Sequence, residues 1–233
     1  MDKIIIYQIF TRLFGNANTT RKNNGTLDEN GCGKMNNFTP ATLRRIKELG
    51  VTHVWYTGII RHATTTDYSS YGIPKQHPAV VKGNAGSPYA ITDYYDVDPD
   101  LAVDVEKRMK EFEALVKRTH KEGLKMIIDF VPNHVARQYK SVAKPEGVID
   151  FGEDDDTGKQ FSPMNNFYYC PGADFAPDID LYHGCEKPYQ EFPAKATGND
   201  CFSNRPGRND WYETVKLNYG VDYCDAGGVS THF

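Results

Sequence analysis

Apolar positions in the first half of the chain predict alternating strands and helices. Residues 4–10, 51–58 and 124–131 are short, mainly apolar stretches, which is typical of strands buried in a parallel sheet. Residues 40–49 and 102–122 place apolar side chains three or four positions apart, with Lys, Arg and Glu between them, as amphipathic helices do. This order indicates an α/β fold built from repeated strand and helix units.

The first helix carries clear signals at both ends. Thr39 is the expected N-cap, Pro40 occupies the first helical position, and Gly50 follows the last turn. The helix is therefore expected to pack on the sheet by one face. The apolar stripe predicted for that face consists of Leu43, Ile46 and Leu49.

Three polar side chains stand at the carboxyl end of the third predicted strand. Asp129 interrupts the apolar run, Pro132 prevents the strand from continuing, and Asn133 and His134 follow. Functional residues of α/β barrels and open α/β sheets concentrate at this end of the sheet. Two interpretations stay open: a binding or catalytic site, or a buried Asp satisfied by backbone with a His that closes a loop.

Two long segments lack a clear period. Residues 59–99 are a polar excursion between the second strand and the second helix. Residues 135–226, rich in Pro, Gly, Asp, Asn and aromatic residues, predict a small, irregular, β-rich subdomain inserted after the third strand. Short strands are expected there at 148–151 and 166–170, and the acidic run 153–156 is expected at a solvated hairpin turn rather than at a cation site.

The composition argues against some classes of partner. A net charge of −4 and a pI near 6.0 give no reason to expect nucleic acid or an anionic membrane surface. No apolar run approaches the ~20 residues that a membrane span requires. The chain is rich in aromatic residues, with 15 Tyr, and such side chains suit stacking on sugar rings.

The cysteines and the amino terminus leave the compartment open. The five cysteines follow no zinc-ligand spacing, and reduced thiols are predicted, with one disulfide as the alternative if the protein is exported. No signal peptide precedes the first strand. The protein is therefore cytoplasmic if Met1 is its native start, and exported if a leader has been removed.

Five stretches match the pattern of one known family. They are Asp129-x-Val131-x-Asn133-His134 and residues 7–10, 38–58, 89–94 and 211–218. Together they resemble the α-amylase superfamily, glycoside hydrolase family 13. The matching family segments are the first signature, the first strand, the first helix with the second strand, the segment G-Y-x-x-x-D-Y, and the end of the inserted subdomain.

The resemblance implies an incomplete (β/α)8 TIM barrel, containing the first three strands, with a small β-rich subdomain inserted after strand three. Residues 1–134 would be the barrel portion, residues 135–226 subdomain B, and residues 227–233 a tail leading toward strand four. A complete barrel takes about 250 residues. The chain is therefore expected to be an amino-terminal portion of a longer enzyme, with open sheet edges that favour self-association.

The resemblance also implies roles for single residues. His134 would hydrogen-bond hydroxyls of the sugar being cleaved, Tyr89 would stack on its ring, and Asp129 would orient groups around the nucleophile. Asn133 is a calcium ligand in those members that bind calcium. Asn218, in the family's Leu-Asn pair, would support the site without touching substrate.

Three positions depart from the family pattern. Pro88 replaces a Gly before Tyr89, and Lys216 replaces the acidic residue before the Leu-Asn pair, which counts against calcium. The nearest string to the one that carries the family nucleophile is residues 220–225, which ends in Cys-Asp but has Tyr223 where the family has Arg. Asp225 is therefore not expected to be the nucleophile.

The implied parent is a retaining glycoside hydrolase of α-glucans such as starch and maltooligosaccharides, and this chain alone is predicted to be inactive. Retaining hydrolysis requires two carboxyl groups about 5–5.5 Å apart, and the regions that carry them in the family have no counterpart here. One alternative is a non-catalytic amylase-fold protein that binds carbohydrate or another partner. A second is an unrelated enzyme that uses His134 and Asp129 as an acid/base pair.

Overall fold

The computed structural model describes residues 3–223, which form short strands, three helices and long connecting segments. The strands are β1 (Ile6–Phe10), β2 (His53–Thr57), β3 (Ile60–His62), β4 (Ile91–Val97), β5 (Lys125–Ile128), β6 (His134–Ala136), β7 (Tyr169–Cys170), β8 (Ala194–Lys195) and β9 (Thr214–Lys216). The helices are α1 (Leu27–Asn30), α2 (Pro40–Glu48) and α3 (Arg108–Lys121). No helix in this part of the chain has the length and apolar character to cross a bilayer.

The central sheet is parallel, with β2 between β1 and β5. Its register pairs Ile6 with His53, and His53 in turn with Lys125. Helices α2 and α3 pack on one face of the sheet, and the Tyr56 hydroxyl lies 2.8 Å from Thr119 Oγ1 of α3. The predicted parallel α/β arrangement is confirmed. The core between sheet and helices includes Ile9, Phe38, Leu43, Val54, Tyr56, Leu115 and Leu124.

Helix α2 has the predicted ends, but one residue predicted to lie in its buried apolar stripe is exposed. The Thr39 side chain accepts a hydrogen bond from the N–H of Thr42, and Gly50 follows the helix with φ +82°. Leu43 is fully buried, whereas Leu49 is 69% exposed. Leu49 follows the last helical residue and lies about 120° around the helix axis from Leu43, which puts it outside the buried face.

Helix α3 begins later than its apolar period predicts, at Arg108 instead of near residue 102. The Glu111 carboxylate accepts hydrogen bonds from the backbone N–H groups of Val103 and Asp104. The Asp104 carboxylate in turn accepts one from the N–H of Glu106. Because side chains satisfy these donors, the backbone before Arg108 forms a 3-10 turn instead of a longer α-helix.

The prediction that the third strand is buried on both faces is wrong. Within residues 3–223, β5 pairs only with β2, so it is an edge strand. Ile128 is 39% exposed and Phe130 is 77% exposed. On the opposite edge, Ile6 of β1 is 51% exposed. The apolar run of β5 therefore lacks a covering element on part of its surface.

The polar excursion contains two strands that the sequence pattern does not reveal. Strands β3 and β4 pair antiparallel with two shifts in register. Buried charges stand at their centre: Arg61 lies 3.3 Å from the Asp93 carboxylate and 3.4 Å from that of Asp96. Asp96 also accepts hydrogen bonds from Arg108 of α3. Charged side chains within the strands hide the apolar alternation that usually signals one.

The segment after β5 is irregular, as predicted, but its strands lie elsewhere. Strand β6 pairs antiparallel with β9, and β7 with β8. Of residues 166–170 only β7 is a strand, and residues 148–151 contain none; the Val148 N–H donates to Pro145 O and closes a turn over residues 145–148. Residues 166–170 are apolar because Phe167 and Tyr169 belong to a small buried cluster, whereas Ile149 is 60% exposed. The buried members of this cluster are Val135, Phe167, Tyr169, Val215 and Leu217.

The acidic run is mostly exposed and a turn follows it at residues 156–159, as predicted, but no strands of the described chain flank this turn to make a hairpin. Asp155 accepts hydrogen bonds from the N–H groups of Asn166 and Phe167 and from the Tyr169 hydroxyl. Its carboxylate thus satisfies backbone donors that no strand partner reaches.

Four of the five cysteines are described, and all four are free thiols: Cys32, Cys170, Cys185 and Cys201. Cys224 lies outside the described residues.

Removing the Arg61 charge should destabilise the fold strongly. Arg61→Met leaves Asp93 and Asp96 buried with one cation fewer, and we expect urea unfolding to report a loss of about 3–5 kcal/mol. Arg44→Met is the matched control, because the Arg44 side chain is 57% exposed and its pair with Glu122 lies at the surface. That variant should lose less than about 1 kcal/mol. Equal losses in the two variants would contradict a structural role for the buried pair.

Candidate functional site

The Asp129 carboxylate connects the carboxyl ends of two neighbouring strands. Its Oδ1 accepts a hydrogen bond from Trp55 Nε1 at 2.9 Å, and its Oδ2 accepts one from the Gly58 N–H at 2.8 Å. Trp55 belongs to β2, and Gly58 follows that strand with φ +79°. Both oxygens are therefore engaged, and the side chain fixes the end of β2 against the end of β5.

His134 is a buried imidazole at the start of β6, only 8% exposed. Its Nδ1 lies 3.0 Å from Asn133 Nδ2, which also donates to Gly198 O at 2.7 Å. The ring is hydrogen-bonded to the backbone of Tyr89 as well. The structure therefore brings Asn133, His134 and the backbone of Tyr89 together, and their roles in sugar binding stay predictions.

Tyr89 meets that imidazole through its backbone and is an exposed aromatic residue, with 41% of the residue exposed. It is held by its neighbour Pro88, the residue that stands where the family pattern has Gly. A Cβ added to Gly58 would lie 3.2 Å from Pro88 Cβ and 3.2 Å from the Phe10 ring. Pro88 thus packs against the end of β2, and this contact holds the backbone that carries Tyr89.

Trp211 is a site residue whose individual role the sequence did not indicate. Its ring lies 5.3 Å from the His134 ring in an edge contact, and 44% of the residue is exposed. The backbone N–H of Trp211 donates to Asn199 Oδ1. The only sequence signal was its place at the start of the 211–218 match. Two exposed aromatic residues, Tyr89 and Trp211, therefore adjoin one buried imidazole.

Asn218 and Asp225 are the two predicted site residues that the contacts around His134 do not include. The Asn218 side chain donates to Ser162 O and accepts from the N–H of Gly220, both at 2.8 Å. These contacts hold loops of the segment after β6, and its support of the sugar site stays a prediction. Asp225 lies outside the described residues.

The groups around Asn133 do not fit a calcium ion. Calcium takes six to eight oxygen ligands, several of them carboxylates. Here the Asn133 amide donates to Gly198 O, and the Asp200 carboxylate in the same loop is paired with the ammonium group of Lys216. Among residues 3–223, no three His, Cys, Asp or Glu side chains are close enough to hold a metal.

Comparison with known proteins identifies the family. The model of the α-amylase catalytic domain matches residues 8–174, well over half of the 233 residues. The chain belongs to the α-amylase family. Membership of the α-amylase family makes the parallel sheet part of a TIM-barrel-type fold.

Individual relatives of this α-amylase-family chain are considerably longer. Maltase A2 of Drosophila melanogaster is 28% identical over 170 residues, which are 69% of this chain and 24% of that protein. Trehalose-6-phosphate hydrolase of Bacillus subtilis is 28% identical over 166 residues, 71% of this chain and 21% of that protein. An α-amylase structure from Lactobacillus plantarum is 29% identical, with 60% of this chain and 24% of that chain covered and a TM-score of 0.40. The chain thus spans about a quarter of these relatives.

His134 should remain neutral at pH values where a free histidine becomes charged. Burial lowers its pKa below 6.5, the Lys216 charge lowers it further, and the hydrogen bond to Tyr89 opposes both. The unfolded state then binds more protons than the folded state just below pH 6.5, so stability is lost as the pH falls through that range. We expect an NMR titration to place the pKa of His134 below 6.5.

The matching stability measurement compares the wild-type chain with His134→Gln. Without the titrating imidazole, this variant should lose less unfolding free energy between neutral pH and pH 5. The exposed His120 provides the control. His120→Gln should keep the wild-type pH dependence, and a His134→Gln profile parallel to wild type would contradict the assignment.

Proposed function

We propose that this chain forms one side of the glucan-binding cleft of an α-amylase-like retaining glycoside hydrolase. One observation carries the proposal: a buried imidazole, His134, lies against the backbone of the exposed residue Tyr89 and the ring of Trp211 at the carboxyl end of a parallel sheet in a chain of this family. The substrates proposed are starch and maltooligosaccharides. Residues 1–134 would be the barrel portion and residues 135–226 subdomain B.

Each side chain has a role suited to its environment. The aromatic face of Tyr89 stacks on a sugar ring, a contact that removes apolar surface from water on both partners. The imidazole of His134 hydrogen-bonds a sugar hydroxyl, which replaces one of its present partners as the site closes around the ligand. A neutral imidazole both donates and accepts, so it fits hydroxyl groups better than a charged one.

Asp129 orients the site and does not attack the sugar. Hydrogen bonds from Trp55 and Gly58 occupy both carboxylate oxygens, and charge-assisted bonds of this kind are costly to break. Retaining hydrolysis needs a free nucleophilic carboxylate and a second carboxyl group about 5–5.5 Å away. We therefore propose that this chain on its own binds glucans without hydrolysing them.

Glucan binding and hydrolysis can be measured on the same samples. We expect maltoheptaose to bind the wild-type chain in calorimetry while soluble starch releases no reducing ends. His134→Ala and Tyr89→Ala should each weaken binding roughly fivefold or more, as expected for the loss of a contact worth about 1 kcal/mol. The controls are His120→Ala and Tyr182→Ala, two exposed positions away from the site.

The outcomes separate the competing functions. Reducing-end release that His134→Ala abolishes would mean that the chain is a complete catalyst, and the proposed inactivity would be wrong. Absence of glucan binding in the wild-type chain would favour a non-catalytic interaction protein instead. Equal binding by the His134 and His120 variants would remove His134 from the site.

The open sheet edges are proposed to cause self-association of the isolated chain. Phe130 is 77% exposed beside β5, and exposed apolar surface at an unpaired strand edge favours pairing with another copy. Light scattering after gel filtration should give a mass above the 26.3 kDa monomer. Phe130→Gln should shift the mass toward the monomer, whereas Leu49→Gln, which removes apolar surface at the end of α2, should not. A wild-type chain that is monomeric at high concentration would contradict the proposal.

A further inference from the structure

Lys216 is a buried cation in the strand that pairs with His134. It lies on β9, directly opposite His134 in the β6–β9 register, and only 8% of the residue is exposed. Its ammonium group forms an ion pair with Asp200 and lies 5.4 Å from the centre of the Tyr223 ring. A buried ammonium is unfavourable unless it is paired, so this lysine constrains the position of the loop that carries its partner.

That loop, residues 196–201, lies directly against the imidazole. The Lys216 N–H donates to Ala196 O, and Asn133 Nδ2 donates to Gly198 O. A Cβ added to Gly198 would lie 2.9 Å from His134 Cβ, so the backbone at Gly198 is too close to His134 for any side chain at this position. The loop also includes Asp200 in the left-handed region, at φ +68°, where a non-glycine residue is held only by its surroundings.

The carboxylate of this loop is already paired with a lysine, so it is not free to bind a metal ion. A bound divalent cation would draw the Asp200 carboxylate and neighbouring oxygens together, but here a covalently attached ammonium group already occupies that carboxylate. We infer that the Lys216 ammonium group, paired with Asp200, takes the place of a bound cation and holds loop 196–201 against His134, so this site needs no Ca²⁺. Lys216 is thus a positioning residue; its effect on sugar binding rests on the proposed function, whereas its effect on the loop does not.

The first experiment tests the wild-type chain with calcium alone. Its melting temperature in EDTA should equal that in millimolar CaCl₂, and calorimetry should detect no Ca²⁺ binding. A melting temperature that rises with CaCl₂ and falls with EDTA would overturn the inference.

The second experiment measures amide hydrogen exchange residue by residue. Lys216→Met keeps the apolar stem and removes the charge, and we expect the amides of residues 197–201 to exchange at least roughly tenfold faster while those of β2 are unchanged. Lys216→Arg, which restores a cation, should return the loop to slow exchange. Lys75→Met, at an exposed ion pair with Asp67, is the control and should behave as wild type.

Asp200→Asn is a second test of the ion pair, which can be measured even if Lys216→Met fails to fold. The Asp200 side chain is 57% exposed, so its replacement is tolerated more easily than a change at the buried lysine, yet it removes the same ion pair. It should loosen the same loop. Unchanged exchange in both Lys216→Met and Asp200→Asn would overturn the inference.

Maltoheptaose titration of the same variants distinguishes this inference from the proposed function. If the wild-type chain binds no glucan but the loop loosens as expected, the proposed function fails and the ion pair retains its positioning role. If the wild-type chain binds glucan and Lys216→Met binds it at least roughly fivefold more weakly, both stand. Full glucan binding by a variant whose loop has loosened would overturn the effect of Lys216 on sugar binding, while its effect on the loop would stand.

Discussion

The need to neutralise charges buried beside the sheet constrains the whole arrangement of the site. Arg61 contacts the carboxylates of Asp93 and Asp96 and donates to Lys140 O in the segment after β6. Asp93 also accepts hydrogen bonds from the Ser141 hydroxyl and the Val142 N–H. Unpaired charges in the interior are very unfavourable, so these groups are satisfied only when β3, β4 and the segment after β6 meet. Their meeting places Tyr89, just before β4, beside His134, at the start of β6.

Paired and hydrogen-bonded charges also fix the backbone around the His134 imidazole. The Asp129 carboxylate fixes the end of β2, and the pair of Lys216 with Asp200 fixes the loop that carries Gly198. Each charge holds a piece of backbone that has little regular hydrogen bonding of its own. An irregular segment can then present side chains at defined positions, because charged and hydrogen-bonded contacts replace the missing strand ladder.

How far the sequence predicts this structure depends on whether the determining contacts are local. The ends of α2 were predictable because Thr39 and Gly50 act on backbone groups within a few residues. The meeting of Tyr89 with His134 was predictable only through a family resemblance, since 45 residues of chain separate them. Strand β4 was missed because its buried Asp93 and Asp96 look like surface residues until Arg61 is placed beside them.

The pleat of β5 separates the site from the open apolar surface of the sheet. Ile127 is paired with Trp55, and Asp129, two residues further on, bonds to that indole, so both lie on the sheet face away from the helices. Ile128 alternates with them and is paired with Tyr56, so it lies on the helix side, where that core residue meets α3. A strand with period two can thus carry a polar site on one face and an assembly surface on the other. Covering the exposed Ile128 would therefore extend the hydrophobic layer without displacing the groups that hold Asp129.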